Sequence, residues 1–237
     1  KMGIMSLSQV LTASFLPHLS EVQEEPERYA RICGKTHRFT SYLLFPAMGL
    51  LIVMATPIFH TLFGTKWDLS IILFQILLVR GIFMVLSLQY NNYIISLGNS
   101  KLLVITEVIR DGVALAAIFL TLPYIGLSTP ENPVRGVEIL LWGQLLAAIV
   151  TWGVSLWFVI RLTKRSLLAY IGDMIPYALE TALFAFPCMM MLNLDLPPLA
   201  ICVVQFITFV ILYLGVNYLM KSKIQQDVVG YFLRRNC

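Results

Sequence analysis

The chain predicts an all-α, polytopic membrane helix bundle of about seven transmembrane helices, on three observations. Of its 237 residues, 58% are hydrophobic and 13% charged, about half the roughly 25% charged content of soluble domains. Mean hydropathy is +0.80, and there are too few charges to form the polar shell of a soluble core. Apolar stretches of about 20 residues, the length needed to cross a bilayer as a helix, recur along the whole chain. Lys and Arg crowd alternate connectors, the pattern that sets membrane topology.

The expected spans lie near 2–18, 40–63, 69–97, 101–124, 137–160, 167–192 and 197–220. The first is the least apolar, with Ser6, Ser8, Gln9, Thr12 and Ser14, and suits a cavity-lining helix. The connector HLSEVQEEPERYARICGKTHRFT is charged and predicts a helical segment at the membrane surface. GTKWD and LGNSK predict tight turns, whereas IGLSTPENPVRG, with Pro130 and Pro133, predicts a loop. RLTKRS is basic, and NLDLPP is short. Pro46 and Pro57 fall in or near the second span and Pro176 and Pro187 in the sixth, where proline is tolerated in membrane helices.

Arg28, Arg31, Lys35 and Arg38 lie in the first connector, Lys101 in the third, Arg161, Lys164 and Arg165 in the fifth, and Lys221, Lys223, Arg234 and Arg235 in the tail. These twelve share one side, against Lys66 and Arg135 on the other. The bias predicts a cytoplasmic C-terminus. The tail KSKIQQDVVGYFLRRNC is basic and amphipathic, as in segments that lie on the inner leaflet. The first span then runs from outside to inside. With the Lys-Met-Gly beginning, this predicts a chain continuing upstream, of which these residues are the C-terminal part.

The net charge of +4 is dispersed over short loops and forms no nucleic-acid face. Cys33, Cys188, Cys202 and Cys237 show neither disulfide nor zinc spacing, and no metal or cofactor is expected. His18, His37 and His60 lie in or beside loops and are expected at the surface. No Walker A loop, GxGxxG, HExxH or GxSxG occurs; pumping would draw on an ion gradient or on the flux of the substrate.

Ionised residues inside spans are costly and ordinarily line a water-filled path or pair with one another. Arg80, Met84, Ser87 and Asn91 follow i, i+4, i+7, i+11 and share a helix face, with Gln89 and Asn92 flanking it. Arg80 lies ~18 Å along the helix from Asp68 and Arg110 ~14 Å from Lys101, so the two arginines are expected near mid-bilayer. Arg suits an anionic head group because its planar fork donates two parallel bonds to phosphate oxygens. Arg80, Arg110, Asn91, Asn92 and Ser87 are therefore the candidate substrate-binding residues. Glu107, Asp111 and Glu180 are the candidates for ion coupling. The competing reading is a structural ion pair, Arg80 with Asp111 or Arg110 with Glu107; for Glu180 it is pairing at a helix interface. Asp173 lies near a helix end and is expected to be solvated.

The order LP, then LS, then an acidic connector, then a proline-containing helix closing on LFGTKW, followed by QYNNYIISLGNSK, resembles the Wzx-like oligosaccharide flippases of the multidrug/oligosaccharidyl-lipid/polysaccharide exporter superfamily. The resemblance covers roughly residues 10–125. It implies about fourteen helices in two lobes around a central cavity, of which this chain would be the second. Residues 1–162 would then be a partial C-terminal lobe of about five helices, and 163–237 a terminal helix pair with a cytoplasmic basic tail. It further implies a non-enzymatic transporter of the bacterial cytoplasmic membrane. The cargo would be undecaprenyl-pyrophosphate-linked oligosaccharide for surface polysaccharide. Its partners would be that lipid-linked sugar, membrane lipids and the N-terminal lobe of the same protein. Three other readings compete: a cation-coupled multidrug exporter, a membrane-embedded glycosyl or acyl transferase or polymerase, and a structural subunit.

Overall fold

Pro26 opens the first helix, where proline's missing N–H is no loss, and Glu27 places an acid in its first turn, where the helix dipole favours negative charge. The computed structural model describes residues 25–127, 129, 133–220 and 224. Among them the chain forms six α-helices: α1 Pro26–Leu62, α2 Asp68–Ser96, α3 Ser100–Thr121, α4 Arg135–Thr163, α5 Leu167–Met190 and α6 Pro198–Leu219. The basic connector and the second expected span are one element. At 37 residues, α1 is roughly 55 Å long at 1.5 Å per residue, well beyond the ~30 Å hydrocarbon core.

The connectors behave as their residues dictate. A three-residue 3₁₀ turn, Thr65–Trp67, joins α1 to α2. Gly98 takes φ 67° between α2 and α3, a conformation that costs glycine little. Asn99 then caps α3 by accepting from the Leu102 N–H at 3.2 Å, satisfying a donor the helix start leaves open. The expected loop after α3 begins instead with a 3₁₀ segment, Leu122–Leu127. Pro198 opens α6 as Pro26 opens α1.

Five helical stretches are long and apolar enough to cross a membrane: Pro26–Leu62, Thr65–Ser96, Arg135–Thr163, Leu167–Asn193 and Pro198–Leu219. The sixth helix, α3, is 22 residues long but carries Lys101, Glu107, Arg110 and Asp111. The span expected near 2–18 and the basic tail lie outside the described residues, as do His18, Pro130 and Cys237. The described residues fit an all-α polytopic bundle.

Contacts divide the chain into two units, and α1 and α5 each contribute to both. The described residues of the first fall in 25–40 and 69–173. Its core joins Tyr29 and Cys33 of α1, Tyr90, Tyr93 and Ile94 of α2, and Leu156 and Val159 of α4, closed by Tyr170. Two of the tyrosine hydroxyls tie α1 to α2. Tyr29 donates to the Tyr93 carbonyl at 2.7 Å and Tyr93 to the Cys33 carbonyl at 3.0 Å. Such bonds hold helices together where lipid removes the usual hydrophobic driving force. In the same unit α3 packs on α4, with Gln144 donating to the Ala114 carbonyl at 3.1 Å.

The second unit holds 41–68, 174–220 and 224. Its α6 buries Ile201, Cys202, Gln205, Phe209, Tyr213 and Asn217, largely a four-residue repeat and hence one face. Gln205 donates to the Cys188 carbonyl at 2.9 Å and Tyr213 to the Tyr42 carbonyl at 2.7 Å.

Candidate functional site

The mid-helix charges of the first unit fall into two groups with different chemistry. On α2, Asn91 and Ser87 are buried, Met84 is exposed and Arg80 is half-buried. The polar stripe therefore opens from a closed end at Asn91 toward Arg80. Ser87 returns its hydroxyl to the Phe83 carbonyl at 2.8 Å, a bond within the helix. Asn91 reaches across to α3 and donates to Glu107 at 2.7 Å. Asn92 is half-buried and has interactions of its own.

On α3, Glu107 and Arg110 form an ion pair one turn apart, and Arg110 Nε also meets Asp111 at 3.1 Å. Glu107 is partly covered, and Asp111 is 68% exposed. The α3 cluster is thus Asn91–Glu107–Arg110–Asp111, with two carboxylates on one guanidinium. Its net charge is −1 when all three ionise, so Arg110 has little attraction left for an anion. The Arg110–Glu107 pair is the one weighed from the sequence; Arg80 and Asp111 form no ion pair.

Arg80 is the opposite case. It makes no salt bridge among the described residues, and its Nε is buried without a hydrogen-bond partner among them. A half-buried cation within an apolar span is the arrangement that calls for an anionic partner. The structure brings together Asn91, Glu107, Arg110 and Asp111; it does not join Arg80 to them by a hydrogen bond or ion pair. Glu180 belongs to the second unit, where it accepts from Asn217 at 2.8 Å.

Two expectations are overturned at the end of the first unit where α2 and α4 finish. Asp173 is not solvated: its side chain is 6% exposed. It accepts from Arg38 through Nε at 2.7 Å and through Nη2, and from Arg165 Nη2 at 2.5 Å. Nor is His37 a surface residue. It is fully buried, its ring 5.6 Å from that of Tyr90 and 5.3 Å from that of Tyr170. The reason is the helical continuation of the connector, which turns every third or fourth residue inward. Arg165 is 20% exposed and lies over the Tyr170 ring at 4.8 Å. Gly34 makes room for it: a Cβ there would stand 2.6 Å from Arg165 Nη1.

These features define a helical, polytopic membrane protein with charged groups in the middle of its helices. Residues 1–72 match the model of a family described as polysaccharide biosynthesis protein. The matched stretch includes α1 and the LFGTKW turn into α2. No curated protein and no solved structure matches the chain.

Proposed function

We propose that the chain takes part in moving undecaprenyl-pyrophosphate-linked oligosaccharide across the bacterial cytoplasmic membrane, for surface polysaccharide synthesis, by alternating access. In this reading it is a transporter and not an enzyme, and its C-terminus is cytoplasmic. The observation that carries it is Arg80, a half-buried guanidinium with no counter-ion among the described residues. The match to polysaccharide biosynthesis proteins and the bilayer-length helices support the same reading. Arg80 supplies a forked donor for a pyrophosphate, with Asn91, Asn92 and Ser87 lining the same helix toward its end.

The acidic surplus at Glu107 and Asp111 gives these residues the coupling role. A proton or cation taken up there would neutralise the cluster and loosen Arg110. The same surplus favours one second reading, a cation-coupled exporter of small organic cations.

The test is surface polysaccharide output in cells carrying Arg80→Ala, with protein level followed in parallel. Output falls by tenfold or more, about 1.4 kcal/mol or greater in substrate recognition, at unchanged protein level, and Arg80→Lys restores part of it. Normal output from Arg80→Ala removes the reading. Binding of an organic cation that is unaffected by lipid-linked sugar selects the second.

A further inference from the structure

Among its described residues, the first unit carries more bases than acids at the end holding its aromatic layer. On α1 the exposed or half-exposed bases Arg28, Arg31, Lys35 and Arg38 follow three- and four-residue spacing and form one stripe. The opposite stripe, Tyr29, Cys33, Thr36, His37 and Thr40, is buried. Arg161, Lys164 and Arg165 stand at the end of α4 and in the linker after it. Among the described residues, the acids at this end are Glu25 and Glu27 at the start of α1, with Glu25 meeting Arg28 at 3.3 Å, and Asp173. One carboxylate thus serves two guanidiniums. Asp173 takes Nε and Nη2 of Arg38, leaving the other terminal nitrogen outside the pair, on a side chain 42% exposed.

The same residues lie where the apolar lengths of α2 and α4 end. Tyr29, Tyr90, Tyr93 and Tyr170 form the core here, and the apolar lengths of α2 and α4 run on from it. Arg161 stacks its guanidinium 4.0 Å from the centroid of Trp157, whose side chain is half exposed. Tryptophan and basic residues gather at the headgroup level of membrane proteins. Leu167 and Leu168, beside the basic linker, are exposed and offer an apolar surface next to the charge.

We propose that this end of the first unit is a recognition strip for anionic phospholipid headgroups, with Arg31 and Arg38 meeting the phosphate and Trp157 and Leu168 meeting the chains. Free phosphate shares the charge chemistry but has no use for the exposed apolar neighbours. The inference stands apart from the transport reading, since it concerns a lipid held at the rim rather than a cargo.

The test uses the purified full chain in nanodiscs containing brominated phosphatidylglycerol or brominated phosphatidylcholine. The readout is the part of tryptophan quenching that is lost in Trp157→Phe. Phosphatidylglycerol is favoured, and the preference drops about fivefold in Arg31→Gln and in Arg38→Gln, the effect of one basic group near an anionic surface. Arg135→Gln, at the far end of α4, leaves it unchanged. Arg31 is exposed and outside the Asp173 clamp, so its substitution is decisive even if Arg38→Gln weakens the fold. Equal quenching by the two lipids overturns the proposal, as does a preference that survives Arg31→Gln. A preference erased by millimolar inorganic phosphate assigns the strip to the free ion instead.

Discussion

Asp173→Asn tests the ionic clamp of the first unit directly. Asparagine keeps the shape but removes the charge between Arg38 and Arg165. Deleting one partner of a fully buried ion pair costs about 3–5 kcal/mol, whereas an exposed pair contributes about 0–1 kcal/mol. Arg165, at 20% exposed, is near the first case and Arg38, at 42%, near the second. The retained amide oxygen still accepts one bond, so the expected loss is about 2–3 kcal/mol, chiefly from the Arg165 side. For a chain of this size that lowers Tm by about 4–12 °C. Cys33 is a convenient reporter because it is fully buried in the same core. The assay is reaction of buried thiols with a fluorogenic dye on heating, in a Cys237→Ser background. Arg165→Gln added to Asp173→Asn removes the stranded cation, so the double variant loses less than the sum of the two singles by about 1 kcal/mol or more. A Tm unchanged in Asp173→Asn, or strict additivity in the pair, refutes the argument that this carboxylate holds Arg165.

Two further outcomes follow from other contacts, one in each unit. Gly34→Ala drives the new methyl against Arg165 Nη1, 2.6 Å away, and lowers Tm by displacing the guanidinium from Asp173; in an Arg165→Ala background the same change raises stability by about 1 kcal/mol, the helix preference for alanine over glycine. Asn217→Ala leaves the Glu180 carboxylate without its amide donor and costs about 1–2 kcal/mol, while Asn217→Asp sets two carboxylates together and costs more; equal Tm for the two variants removes the contact from the account.

The helices were legible because twenty apolar residues in a row have few alternative readings. Six of the expected spans fall on helices, and LGNSK marks its turn through Gly98 and Asn99. What misled was the charge of the first connector. Arg28, Arg31, Lys35 and Arg38 suggest a segment lying on the surface, yet the residues between them at 29, 33, 36, 37 and 40 repeat at helical spacing. They are Tyr, Cys, Thr, His and Thr, each able to fill a crowded interior. That repeat was the available sign that His37 is buried. Asp173 had no such sign, since its partners Arg38 and Arg165 are 135 and 8 residues away and only the folded chain unites them. The Gln205, Phe209, Tyr213, Asn217 repeat of α6 was legible and would have supplied Glu180 with its partner.

Three arginines, Arg80 and Arg110 within helices and Arg165 in the linker after α4, separate by how their charge is met, and this decides what each can do. Arg110 carries acids at i−3 and i+1, so its neutralisation is written into local sequence and holds wherever α3 sits. Arg165 is neutralised by a tertiary contact that also fixes Tyr170 and Gly34 around it, which makes it a positioning group for that end of the unit. Arg80 has neither a local acid within a helical turn nor a tertiary one among the described residues. A cation kept in that state inside an apolar span costs free energy at all times unless something negative visits it. Under the proposed function, Arg80 is therefore the candidate at which a passing anion would gain most, and Arg110 belongs with the acids it already holds.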